Sequence, residues 1–80
     1  EYRRAIAIRP DSAEARNNLG DMLLKMRNVR AAIEQFRKAL ALNPPTKALI
    51  MKNLGVAYLQ AGRVKDAEAA FRGAYELSPR

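Results

Sequence analysis

Cysteine, histidine and tryptophan are all missing from the 80 residues, and each absence removes chemistry. Without Cys there is neither a disulfide framework nor a thiol nucleophile. Without Cys and His together there is no zinc site of the usual kind and no Ser-His-Asp triad. No Gly-rich phosphate loop is present, and Ser12 and Ser78 flank turns with no base nearby in sequence. No catalytic residue, cofactor or metal ligand is therefore expected, and the chain does not read as an enzyme. Lack of Cys is compatible with any redox compartment. No apolar run approaches the ~20 residues of a bilayer span, so no membrane partner is expected.

What is present in quantity is apolar and basic. Apolar residues make up 49% of the chain, too much for disorder by composition. Eighty residues allow one domain at most, burying roughly two thirds of the unfolded surface. Lys and Arg number 15 against 8 Asp and Glu, a formal net charge of +7, which favours acidic partners in general. The chain starts at Glu1 with no initiator Met or basic leader. It stops at Pro79-Arg80, straight after an apolar helical pattern, and so reads as a piece of a longer protein.

An internal repeat organises the rest. Shifted by 35, the segment 13–44 falls on 48–79 with identities at Ala13/Ala48, Asn18/Asn53, Leu19/Leu54, Gly20/Gly55, Leu24/Leu59 and Val29/Val64. The identities continue at Ala32/Ala67, Phe36/Phe71, Arg37/Arg72, Ala39/Ala74, Leu42/Leu77 and Pro44/Pro79. That is twelve in 32 positions, where average composition gives roughly two by chance. The first ten residues align with a shift of 34, Tyr2 meeting Phe36 and Pro10 meeting Pro44. The expected organisation is 1–10 as the second helix of a truncated repeat, with 11–44 and 45–80 as full repeats. The extra residue of the longer step lies in Pro45-Thr46-Lys47.

Each repeat reads as two helices. Ala13, Arg16, Leu19, Gly20, Leu23 and Met26 follow helical spacing, as do Val29, Ala32, Ile33, Phe36 and Leu40. The spacing predicts helices over 1–8, 12–26, 30–42, 47–61 and 65–77. Asp11 is the expected N-cap of the second of these, with Glu14 closing a capping box, and Thr46 caps the fourth. Gly62 is expected to end a helix in the left-handed conformation. The equivalent Arg27 adopts that geometry at greater cost unless Asn28 takes the turn.

These motifs resemble the tetratricopeptide repeat, whose pattern is W-x2-L-G-x2-Y, then A-x3-F, then P. The chain carries Arg16-x2-Leu19-Gly20-x2-Leu23, Ala32-x3-Phe36 and Pro44, then Met51-x2-Leu54-Gly55-x2-Tyr58, Ala67-x3-Phe71 and Pro79. Arg16 and Met51 replace the opening aromatic, and Leu23 the later Tyr, without moving any spacing. The resemblance implies an all-α, right-handed α-solenoid of antiparallel helix hairpins, a superhelix that acts as a protein-binding scaffold. It implies that Gly20 and Gly55 let paired helices approach, with Ala32 and Ala67 across that contact. Phe36 and Phe71 would then fill the gap between hairpins. Tyr2, Tyr58 and Tyr75 also sit at core spacing, leaving no aromatic for base stacking.

In such a stack the first helices line a concave groove. The buried side of the first of them is expected at Leu19, Leu23 and Met26, and the groove side at Glu14, Asn17, Asn18, Asp21 and Lys25. Leu49, Lys52, Asn53, Val56 and Gln60 form the next stripe. The expected peptide-binding residues are Asn17, Asn18, Asp21, Lys25, Lys52, Asn53, Val56 and Gln60. Asn18 and Asn53 recur just before Leu-Gly. They resemble the Asn ladder of glycosyltransferase-type repeat superhelices, which binds peptide backbone through amide donors and acceptors. The alternative is a cap or hydrogen bond between helices. A carboxylate clamp is incomplete, since Val56 stands where a second Asn is needed and Asp21 would repel a carboxylate.

Arg3, Arg4, Arg9, Arg30, Arg37, Lys38, Lys65 and Arg72 fall on the second helices or their edges, interspersed with Glu34, Glu68 and Glu76. They read as a solvated convex face with helical ion pairs. A protein or peptide is thus the expected partner and nucleic acid is disfavoured. Two alternatives stand beside the scaffold. One is an RNA-binding, pentatricopeptide-like module, also built of 35-residue hairpins; the other is the non-catalytic repeat region of a larger enzyme. Self-association or fraying through uncapped terminal helices is also expected.

Overall fold

The computed structural model describes residues 12–78. Four helices follow in order: α1 (Ala13–Lys25), α2 (Val29–Ala41), α3 (Lys47–Gln60) and α4 (Val64–Leu77). Each bound lies within a residue or two of the sequence expectation. The helix expected at 1–8, with Tyr2, Arg3, Arg4 and Arg9, lies outside the described residues.

α1 packs on α2 and α3 on α4 as two hairpins, α2 packs on α3 to join them, and α1 meets α3 lightly. This is the all-α hairpin stack that the repeat implies. The core joins all four helices through Leu24, Ala32, Ile33, Phe36, Ala39, Ile50, Leu54, Ala57, Tyr58, Ala67 and Ala70. Phe36 and Ile50 are completely buried, each worth about 1.5–3 kcal/mol by the area it removes from water. α3 packs on both α2 and α4, yet three of its apolar residues, Leu49, Val56 and Leu59, stand exposed.

The helix ends correct one expectation and bear out another. The N-cap of α1 is Ser12, whose hydroxyl accepts from the Ala15 N–H at 3.2 Å; Asp11 lies outside the described residues. Ser12 places its oxygen over the N3 donor from an extended backbone (φ −78°, ψ 117°), the geometry a capping hydroxyl requires. Thr46 occupies the N-cap of α3 as expected, but its side chain makes no capping bond.

Both hairpin turns use the same device. The N–H of Asn28 donates to the Leu23 carbonyl at 2.8 Å, and that of Arg63 to the Tyr58 carbonyl at 2.8 Å. These are six-to-one bonds of a Schellman motif, with the left-handed residue just before the donor. Gly62 fills that position at φ 79°, and Arg27 fills it at φ 66° without handing the turn to Asn28. Asn43 is also left-handed, at φ 52°, before Pro44.

The nearest neighbours of Gly20 and Gly55 are aromatic rings. A Cβ on Gly20 would lie 2.7–2.9 Å from the Phe36 ring, and one on Gly55 2.7–2.8 Å from the Phe71 ring. Each Phe ring therefore abuts the glycine of its own hairpin, where the expectation placed it between hairpins. Ala32 and Ala67 are buried beside this contact. Met26 and Tyr75, expected in the core, are 64% and 63% exposed. Met26 lies one residue past α1, as the chain turns away. Tyr75 sits on the outer face of α4, where no described element covers it.

Candidate functional site

The expected groove residues divide between α1 and α3, whose side chains meet at one point. The Asn53 Nδ2 donates to the Asn17 Oδ1 at 3.0 Å. The contact therefore joins Asn53 to the residue before Asn18, and Asn18 itself stands exposed. Of the two readings of the recurring Asn, the bond between helices is present for Asn53, and Asn18 offers its amide to solvent. Asp21 and Lys25 pair one turn apart at 3.4 Å, largely in water, so this bridge contributes at most a few tenths of a kcal/mol. Lys52, Val56 and Gln60 are exposed along α3.

A cleft lies at each end of this surface. One, of about 460 Å³, is bounded by Ala13, Glu14, Asn17 and Asn18 of α1, Pro44, Pro45 and Thr46 of the connection, and Leu49 of α3. The residues that lengthen the repeat step thus build one wall of it. The other, of about 560 Å³, lies at the far end, between Leu24, Lys25, Arg27 and Val29 on one side and Gln60 on the other. The first mixes amides, a carboxylate and the apolar Leu49, which is 49% exposed. Such a lining can pair a peptide backbone and seat one apolar side chain.

The two residues at the family's opening aromatic position are handled differently. Arg16 donates from Nη1 to the Gln35 Oε1 at 3.1 Å across the first hairpin. In the second hairpin the Met51 methyl occupies the space that a Cβ on Gly73 would take. Both positions are spent on joining hairpin helices and leave the groove free of aromatic rings.

Sequence reasoning missed a third cleft, which shares Val29 with the second. It is about 760 Å³ and lies along α2 beside the α3–α4 turn. Of its cations, Arg30, Arg37 and Lys38 appeared in the sequence as convex surface charge and Arg63 did not. Nor did its apolar floor appear, because the residue that closes it, Ala61, is remote in sequence from α2.

The fold and these clefts define a helical-repeat module with ligand-sized clefts and no catalytic constellation among the described residues. Comparison with known proteins assigns the family. Models described as "Tetratricopeptide repeat" match residues 22–80 and residues 1–34, and the chain belongs to the tetratricopeptide repeat family. Repeats of this family generally mediate protein–protein interactions. The chain is 35% identical over 66 residues to the human Intraflagellar transport protein 88 homolog, covering 78% of this chain and 8% of that protein. It is also 35% identical over 80 residues to the human Protein O-mannosyl-transferase TMTC3, covering 99% of this chain and 9% of that protein. The chain thus spans less than a tenth of the length of these curated relatives. No described helix is long and apolar enough to cross a membrane.

Proposed function

We propose that this chain is a non-catalytic protein-interaction scaffold that holds an extended peptide or partner helix on the surface shared by α1 and α3. On this reading residues 11–44 and 45–80 are two repeats, and 1–10 belongs to another. The observation that carries it is the Asn53–Asn17 bond. It marks where successive first helices meet, with a cleft at either end and the exposed Asn18 amide beside it. Asn17, Asn18, Asp21 and Lys25 on α1, with Lys52, Asn53, Val56 and Gln60 on α3, are the residues assigned to the ligand. An amide-rich surface with balanced charge suits peptide backbone better than a polyanion, which requires a line of cations.

The test uses a peptide selected by display against the 80-residue chain. Asn18→Ala should weaken it several-fold with the far-ultraviolet circular dichroism unchanged, because Asn18 makes no side-chain bond within the described residues. Adding Asn53→Ala should weaken it further and also cost about 1 kcal/mol of stability through the lost bond to Asn17. Unchanged affinity in the double variant would remove the groove assignment.

One observation favours a second, compatible reading. The match across 99% of the chain to a protein named as a transferase supports placing such repeats in the non-catalytic part of a larger enzyme. The chemistry would then lie outside these residues.

A further inference from the structure

We propose that α2, together with the α3–α4 turn, carries a second docking groove, one that takes an acidic peptide segment bearing an apolar side chain. The groove of about 760 Å³ runs along α2 to the α3–α4 turn. Val29, Ile33, Ala41 and Ala61 give it an apolar lining, and Arg30, Arg37, Lys38 and Arg63 surround them. Glu34 is the one carboxylate lining it.

The cations are not equally engaged. Lys38 pairs with Glu34 at 3.7 Å. The Arg63 Nε lies 2.7 Å from the Asp66 Oδ2, and its guanidinium stacks 4.8 Å from the centre of the Tyr58 ring. Arg30 and Arg37 have no ion pair among the described residues. They are two turns apart on one side of α2, about 10 Å along the axis at 1.5 Å per residue. In an extended chain alternate side chains share a face, so acids at i and i+4 lie on the same side as the residue midway between them, about 13 Å apart at ~3.3 Å per residue, a span that two long Arg side chains can meet. A segment with acids at that spacing can meet both guanidinium groups, each a planar fork suited to a carboxylate, while a side chain between them reaches the floor.

The second repeat shows that this arrangement is not a general property of the outer face. The positions equivalent to Ile33, Glu34, Lys38 and Ala41 are Glu68, Ala69, Gly73 and Glu76. There the apolar floor becomes acidic and the cationic excess vanishes, although Lys65 and Arg72 keep the places of Arg30 and Arg37. Covering a solenoid with solvated charge requires neither an apolar floor nor an excess of one sign. Because the lining includes exposed apolar area and no aromatic ring, it selects an acidic peptide over RNA, whose bases stack on aromatic platforms.

The experiment is fluorescence anisotropy on the full 80-residue chain. The probe is a labelled peptide of roughly ten residues with Glu on both sides of a central Leu. It should bind, and Arg30→Glu with Arg37→Glu should weaken it at least ten-fold. Arg30→Gln with Arg37→Gln, the milder pair, should weaken it in the same direction. All four substitutions are at exposed positions, and circular dichroism checks that the helices persist. Replacing the central Leu by Gly, or every Glu by Gln, should each cost ten-fold, and Lys65→Gln with Arg72→Gln, at the equivalent exposed positions of the second repeat, should change nothing. Failure to bind the probe, equal binding of the Leu-to-Gly peptide, or no response to either Arg pair would overturn the proposal. Tighter binding of a labelled oligouridylate than of the peptide would overturn it in favour of a nucleic-acid surface.

Discussion

At the scale of single residues, the decisive contact is an aromatic ring abutting a glycine. The Phe36 ring is fully buried and has nowhere to withdraw, so a methyl group on Gly20 must push backbone or ring aside. Gly20→Ala should therefore destabilise the chain by about 1–3 kcal/mol, the usual cost of overpacking, read as a lower urea midpoint. Gly73→Ala is the control. It meets only the terminal methyl of Met51, a flexible chain end, while removing the roughly 0.5–1 kcal/mol penalty of a glycine inside a helix. The control should stay level or rise, and equal losses in both variants would show that the ring is not the cause. The need for glycine at 20 and 55 was legible in the sequence, whereas its partner was not. Ala32 and Phe36 are one turn apart on the same side of α2, so spacing alone cannot tell which of them reaches the glycine.

At the scale of elements, the two hairpin turns have the same geometry and different residues in the left-handed position. Gly62 has no Cβ to strain, but Arg27 does, at a cost of about 1–2 kcal/mol. Replacing it by glycine gives back some of that gain through a more flexible unfolded chain, about 0.4–1 kcal/mol. Arg27→Gly should leave a net stabilisation of about 0.5–1 kcal/mol. For a domain this size that raises the thermal midpoint by a few degrees. A thermal melt followed by circular dichroism decides it, and an unchanged or lower midpoint would mean that the Arg27 side chain makes a compensating contact. The helices themselves were readable because apolar spacing, Gly62 and Pro44 punctuate them. The cap of α1 was misassigned by one residue because Asp11 and Ser12 are adjacent good caps, and only the backbone angles choose between them. The stagger between α1 and α3 was not readable. Periodicity inside a repeat orients each helix but does not say that Asn53 lies level with Asn17 and not with Asn18.

At the scale of the whole molecule, the repeat allows each hairpin to report on the other. Leu24 is 8% exposed under the second hairpin, while its equivalent Leu59 is 50% exposed. Phe36 is sealed and Phe71 only partly buried, and Tyr75 stands in the open where Leu40 is partly covered. The face that the first hairpin buries against α3 is thus repeated on the second hairpin, and no described residue covers it. Apolar area of this kind gains about 25 cal/mol for every Å² removed from water, so two copies that pair these faces bury what each leaves wet. The 80-residue chain should therefore associate as its concentration rises, with sedimentation equilibrium giving a mass above that of one chain. Leu59→Glu with Tyr75→Glu should return it to a monomer, because both side chains already reach solvent and a buried unpaired carboxylate opposes the pairing. A monomer at the highest concentrations reached would contradict this. Association that survives the double variant would place the contact elsewhere, with the α2 groove the next surface to examine by Arg30→Glu.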